Sequence, residues 1–191
     1  MASGNGTNFK AILERIQDGS LKAICGVLIT NNSGSGAVKI AEEFQIPVVH
    51  LSQKTHPDPD NYETALLNVL KKYGIRAIIL AGYMKALPAA VIHAYPGRIF
   101  NIHPSLLPKY GGAGFYGDRV HQAVIDAGDT VSGVTVHLVT ENYDEGPVLA
   151  RREAPVEKSD TAETLAEKIH KVEHDFYFRV LAEQFQKLES L

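Results

Sequence analysis

The chain carries a single cysteine, Cys25, in 191 residues. One cysteine closes no internal disulfide and supplies no thiolate cluster for zinc, so a reducing cytoplasm is the expected setting. Long apolar runs are missing too: none approaches the roughly 20 residues of a membrane-spanning helix, and no charged-then-apolar leader opens the sequence. Basic charge is not in excess. The net charge of −3 argues against non-specific nucleic-acid binding, which relies on basic patches. There is no internal repeat and no low-complexity tract. Among catalytic signatures, no Gly-x-Ser-x-Gly elbow occurs and no Cys–His dyad can be argued. What is present is ordinary globular material, 45% hydrophobic and 21% charged, enough for one core. The expectation is one soluble domain over residues 1–191, with no membrane and no nucleic-acid partner.

Apolar periodicity organises the chain. Phe9, Ile12, Leu13 and Ile16 mark a first helix that Gly19 stops. Residues 23–30 (AICGVLIT) read as a buried strand, 35–44 as helix, 47–51 as strand and 61–73 as helix. Residues 77–81 and 98–102 are further strands around a helix at 88–95. This alternation predicts a Rossmann-like, doubly wound α/β fold with a mostly parallel sheet and helices on both faces. The regularity breaks at 103–117, HPSLLPKYGGAGFYG, a Pro- and Gly-rich stretch of the kind that carries function. Helix is expected again at 118–127, strands at 133–139 and 148–154, and a long amphipathic helix at 161–188 along Leu165, Ile169, Val172, Phe176 and Val180. A Gly-rich turn normally follows a central strand in such folds. Here it begins at residue 3, which predicts that the first strand is absent.

Three segments could carry chemistry. Ser-Gly-Asn-Gly-Thr-Asn (residues 3–8) opens a helix, where free N–H groups and a positive dipole end suit an anion. It matches neither Gly-x-Gly-x-x-Gly nor the Gly-Lys-Ser/Thr of a P-loop, so a phosphomonoester held by Gly6, Thr7 and Asn8 fits better than a dinucleotide or triphosphate. An ordinary turn capped by Thr7 or Asn8 is the plain alternative. Asn101 and His103 lie at the carboxyl end of an expected strand, where open α/β sheets place ligands. There an Asn amide donates to an oxyanion and a His moves protons, although a lone His is more often structural. After the strand at 133–139, Glu141, Asp144 and Glu145 form an acidic turn. Asp144 facing His103 would raise the imidazole pKa, but spacing does not select it from its neighbours.

The remaining histidines are less informative. His137 points away from the core-facing Val136 and Leu138, towards either a cleft or water. His170 and His174 stand one helical turn apart with no third metal ligand in sequence.

Taken together, SGNGTN (3–8), LAGYMKAL (80–87), NIHPSLLPKYGG (101–112), SGVTVHLV (132–139) and DEGPV (144–148) resemble the phosphoribosylglycinamide formyltransferases, folate-dependent enzymes of purine synthesis, across essentially the whole chain. The resemblance implies transfer of the formyl group of 10-formyltetrahydrofolate to the amine of glycinamide ribonucleotide, without a metal. It implies a phosphate-binding half over about 1–100 and, over about 101–191, a catalytic half.

By position, the resemblance makes His103 the general acid, Asn101 the oxyanion partner, and Asp144 the carboxylate that tunes His103 and orders a water. It gives the ribonucleotide phosphate to Gly6, Thr7 and Asn8, and the sugar hydroxyls to Glu173. Folate contacts fall to Met84, Lys85, Ala86, Leu87 and Asn101. It further implies a cytoplasmic monomer or weak homodimer. Lys85 stands where the family commonly has arginine, keeping the charge and losing the planar fork.

Related chemistries compete. Formyltetrahydrofolate hydrolases share the Asn-x-His and Asp signature but normally carry a further N-terminal domain. Methionyl-tRNA formyltransferases add a tRNA-binding domain and favour a basic surface. A non-catalytic folate- or nucleotide-binding domain would have no need of Asn101, His103 and Asp144 together.

Overall fold

The structure is a computed structural model that describes residues 1–112 and 114–189. It divides into two compact units, Met1–Ile99 and Phe100–Leu191.

In the first unit, helix α1 (Thr7–Gln17) buries Phe9, Ile12 and Leu13, the face its periodicity marks. Strand β1 (Leu28–Thr30) pairs in parallel with β2 (Val48–His50) through α2 (Gly36–Glu43). Helix α3 (Pro59–Lys72) starts two residues earlier than its apolar period suggests. The Asp58 carboxylate accepts the Asp60 and Asn61 amides, and Pro59 occupies the first turn. Strand β3 (Ile78–Leu80) and helix α4 (Ala89–Ala94) complete the unit.

Residues 1–3 are not a regular strand, yet they run between β1 and β3. Ala2 N–H donates to Ile29 O, the Met1 ammonium donates to Ile79 O, and Ala81 and Ser3 N–H reach Met1 O and Gly82 O. The expected gap before the Gly-rich turn is thus spanned by three residues. The strand expected at 23–30 is shorter: only 28–30 pair, and Ile24 is 95% exposed. Backbone groups need a neighbour to make a ladder, whatever the hydropathy of the segment.

In the second unit, β4 (Ile99–His103), β5 (Val131–Leu138) and β6 (Val148–Pro155) pair antiparallel, in contrast to β1–β2. The β5–β6 connection, 139–147, is a hairpin loop, which joins antiparallel strands without a crossover. Helix α5 (Asp118–Asp126) buries Val120, His121 and Val124. Helix α6 (Ala162–Glu189) buries Leu165, Ile169, Phe176, Tyr177, Val180 and Leu181, with Glu173 inside the same stripe.

Two contacts hold β4 on α6. The Tyr177 hydroxyl donates to Phe100 O at 2.9 Å, and the Phe100 and Phe185 rings meet edge to face at 6.1 Å. A buried hydrogen bond and an aromatic pair are each worth about 1 kcal/mol. Phe100 faces the helix, so Asn101 and His103 face the other way. Among the described residues no helix is long and apolar enough to cross a membrane.

Candidate active site

Strand alternation and register assemble the polar face of the second unit. Asn101 lies directly opposite His137, and His103 opposite Thr135, while Phe100, Ile102, Val134 and Val136 turn to the core. Thr135 Oγ1 donates to Ser105 O at 2.7 Å and accepts the Leu107 amide at 3.0 Å. Arg151 donates to Leu107 O at 2.7 Å. These bonds pin the irregular chain that leaves β4. Farther along, the Tyr110 hydroxyl and Lys109 ammonium both donate to Asp129.

The hairpin loop brings Asp144 to this face in a left-handed conformation, φ 58°. Its Oδ2 lies 3.5 Å from His103 Nδ1 and accepts the Gly112 amide at 3.0 Å. Its Oδ1 lies 3.6 Å from His137 Nε2. His103 Nε2 donates to Tyr110 O at 2.7 Å. The side chains of His103 and Asp144 are 5% exposed and that of His137 is 2% exposed. One carboxylate therefore sits between two buried imidazoles. The structure singles out Asp144 from Glu141 and Glu145, which the sequence alone could not, and it places His137 on the site face and not in water.

The electrostatics follow from burial. Loss of hydration pushes the His103 imidazole below its ordinary pKa; Asp144 and the Tyr110 carbonyl oppose the shift and His137 adds to it. The facing carboxylate was expected to raise this pKa, and its pull is outweighed by desolvation. For Asp144, burial acts to raise the carboxyl, but His137, His103 and the Gly112 N–H together hold it below its ordinary value. The arrangement keeps an anion beside an imidazole whose two nitrogens both face acceptors, so the protonated ring is the form in which both are satisfied.

The first unit contributes backbone. Gly6 stands in the left-handed region, φ 77°, immediately before α1, with no side-chain cap. A Cβ there would lie 2.8 Å from Ala37 Cα, and one on Gly36 would lie 2.7 Å from Asn5 O. Close packing of the 3–8 loop on the start of α2 therefore requires glycine on both sides. Thr7 is exposed and Asn8 half-buried at the α1 N-terminus. Ser3 Oγ accepts the Met84 amide at 2.9 Å, so the loop and the 84–87 segment meet at the strand ends. Met84, Lys85 and Ala86 are exposed and Leu87 is buried. In the second unit Glu173 is buried on α6, one turn before Tyr177.

The sequence points to Asn101 and His103, the family resemblance to Asp144, and His137 is left between the cleft and water; the register decides it, since a residue opposite Asn101 shares its face. Tyr110 O and Gly112 N–H are backbone groups and carry no residue-type signal.

Comparison with known proteins gives a consistent result. The formyl transferase family profile matches residues 1–181. A chloroplastic phosphoribosylglycinamide formyltransferase of Vigna unguiculata is 44% identical over 94% of this chain, which spans only 57% of that protein's length. The Bacillus subtilis phosphoribosylglycinamide formyltransferase is 38% identical, over 94% of this chain and 90% of its own. The crystal structure of the Bacillus halodurans phosphoribosylglycinamide formyltransferase superimposes with a TM-score of 0.92 at 39% identity, covering 100% of this chain and 95% of that one. The fold is thus the Rossmann-like α/β fold of those enzymes.

Proposed function

This chain belongs to the formyl transferase family, and from that premise we propose that it transfers the formyl group of 10-formyltetrahydrofolate to the amine of 5'-phosphoribosylglycinamide, giving formylglycinamide ribonucleotide and tetrahydrofolate. The observation that carries the reading is the meeting of half-buried Asn101 and buried His103 on one face of β4 with the buried Asp144 carboxylate from the β5–β6 loop.

The neutral amine attacks the formyl carbon, a C–N bond forms, and negative charge grows on the formyl oxygen. The Asn101 amide donates to that oxygen, and His103 Nε2–H does so by exchanging the Tyr110 carbonyl that it meets in this structure for the formyl oxygen; a preorganised donor of this kind contributes roughly 3 kcal/mol. The attacking nitrogen loses a proton, the folate nitrogen gains one, and the tetrahedral intermediate then breaks its bond to the folate. Asp144 keeps the His103 imidazolium accessible against its burial and orders the water that shuttles the proton.

Gly6, Thr7 and Asn8 hold the ribonucleotide phosphate, a role supported by the uncapped α1 N-terminus. Glu173 takes the sugar hydroxyls. Met84, Lys85, Ala86, Leu87 and Asn101 line the folate side. No metal takes part. The substrates are the only partners, the protein acts as a monomer or weak homodimer, and the lone cysteine favours a cytoplasmic setting.

The test follows loss of 10-formyltetrahydrofolate with and without glycinamide ribonucleotide. Turnover that requires the ribonucleotide is the expected result; equal turnover without it would make water the acceptor and overturn the transfer.

A further inference from the structure

We propose that His137 is a positioning residue that fixes which way the Asn101 amide points. The two residues are direct cross-strand partners on β4 and β5, and Asn101 Nδ2 lies 3.0 Å from His137 Nε2. The other ring nitrogen, Nδ1, lies 2.9 Å from Leu138 O. A carbonyl oxygen only accepts, so Nδ1 carries a proton; Asp144 Oδ1 faces Nε2 at 3.6 Å, beyond hydrogen-bond distance, and draws a second proton there only in the charged ring, so in the neutral ring Nε2 is a lone pair. A lone pair accepts from Nδ2 and repels Oδ1. His137 thereby selects one of the two amide orientations that an isolated Asn side chain adopts equally well. One Asn101 N–H is committed to His137, and the second is the donor left for a developing oxyanion.

Two backbone features support the arrangement. The β5–β6 register shifts at Val136/His137, and such a bulge re-aims the side chain next to it. A Cβ on Gly146 would overlap the Leu138 carbonyl oxygen that receives Nδ1–H, so glycine there lets the loop close over that acceptor. Reversed, with the proton on Nε2, the ring would draw Asn101 Oδ1 towards itself. The Nδ1–H···O bond that sets the tautomer would then be lost.

The role rests on the transfer reading, and the experiment separates the two. Imidazole nitrogen NMR of the free wild-type protein reads the tautomer without any substrate. A neutral His137 with hydrogen on Nδ1 is expected, with an Asn101 side-chain amide proton whose shift changes in His137→Phe; hydrogen on Nε2 would overturn the proposal. In turnover assays His137→Phe should lower kcat roughly 10- to 100-fold, less than deleting the Asn101 donor, with KM values little changed. Added to Asn101→Ala it should cost nothing further, because it acts through that amide. His137→Gln, which can still present an acceptor, should recover part of the loss. Additive losses, or equal losses in the Phe and Gln variants, would contradict a positioning role. If the wild-type protein shows no ribonucleotide-dependent turnover, the transfer reading falls and the tautomer measurement still decides the orientation.

Discussion

The candidate sites in the two units of this chain are built of different materials. In Met1–Ile99 the candidate anion site is made of backbone: a left-handed Gly6, an uncapped helix start, and a second glycine, Gly36, that lets α2 pack against Asn5. In Phe100–Leu191 the site is made of buried side chains, with Asp144 held between His103 and His137. Backbone amides bind a fixed charge and need only geometry. Side chains that exchange protons need a tuned environment as well, which is why the second site is almost fully buried and the first is not. One unit is thus suited to recognition and the other to chemistry.

After loss of His103 itself, the largest expected break in that contrast is Asp144→Asn. Removing the anion takes away the influence that raises the His103 pKa and leaves the desolvation that lowers it. Turnover should fall by about 10²-fold or more. The alkaline limb of its pH profile should also move to lower pH, since His103 gives up its proton earlier. An unchanged profile would count against the tuning role.

The next effect belongs to the first unit. Gly36→Ala drives a Cβ into the Asn5 carbonyl and displaces the loop. The KM for the ribonucleotide should rise, by up to about 10²-fold for a displacement near 1 Å, with the folate KM nearly constant. Parallel changes in both constants would show that the loop does not act on the ribonucleotide alone.

The smallest effect is on stability. His121 is buried, and desolvation lowers its pKa from about 6.5 to about 4; His170 and His103 push in the same direction and Asp118 opposes them. The unfolded chain then binds the extra proton between those values, so folding stability falls as pH drops from 6.5 towards 4, by at most about 3 kcal/mol. His121→Leu should shrink that loss in urea titrations at pH 7 and pH 4. The same pH dependence in the variant would assign the acid sensitivity to other groups.

Much of this was legible in the sequence. Helix faces followed from Phe9, Ile12 and Leu13 or Leu165, Ile169 and Phe176, because one-dimensional periodicity reports directly on burial. Asn101 and His103 were legible from their place at a strand end. What periodicity does not carry is pairing. The length of β1 depends on which residues find a partner, and only 28–30 pair, with β2, while Ile24 is exposed although its neighbours read as core. The antiparallel pairing of β5 with β6 depends on the hairpin, that of β5 with β4 on the return of the chain through α5, and His137 gains its place only through the register with Asn101. The upward pull of Asp144 on His103 is legible in the sequence and present in the structure, but the net shift is downward because sequence does not show how much water the fold removes.

The division between recognition and chemistry is tested most directly by His103→Ala, with ribonucleotide binding and formyl transfer measured on the same preparation. The account predicts a dissociation constant close to that of the wild-type protein and turnover reduced by about 10²- to 10⁴-fold. Near-normal turnover in that variant would contradict it.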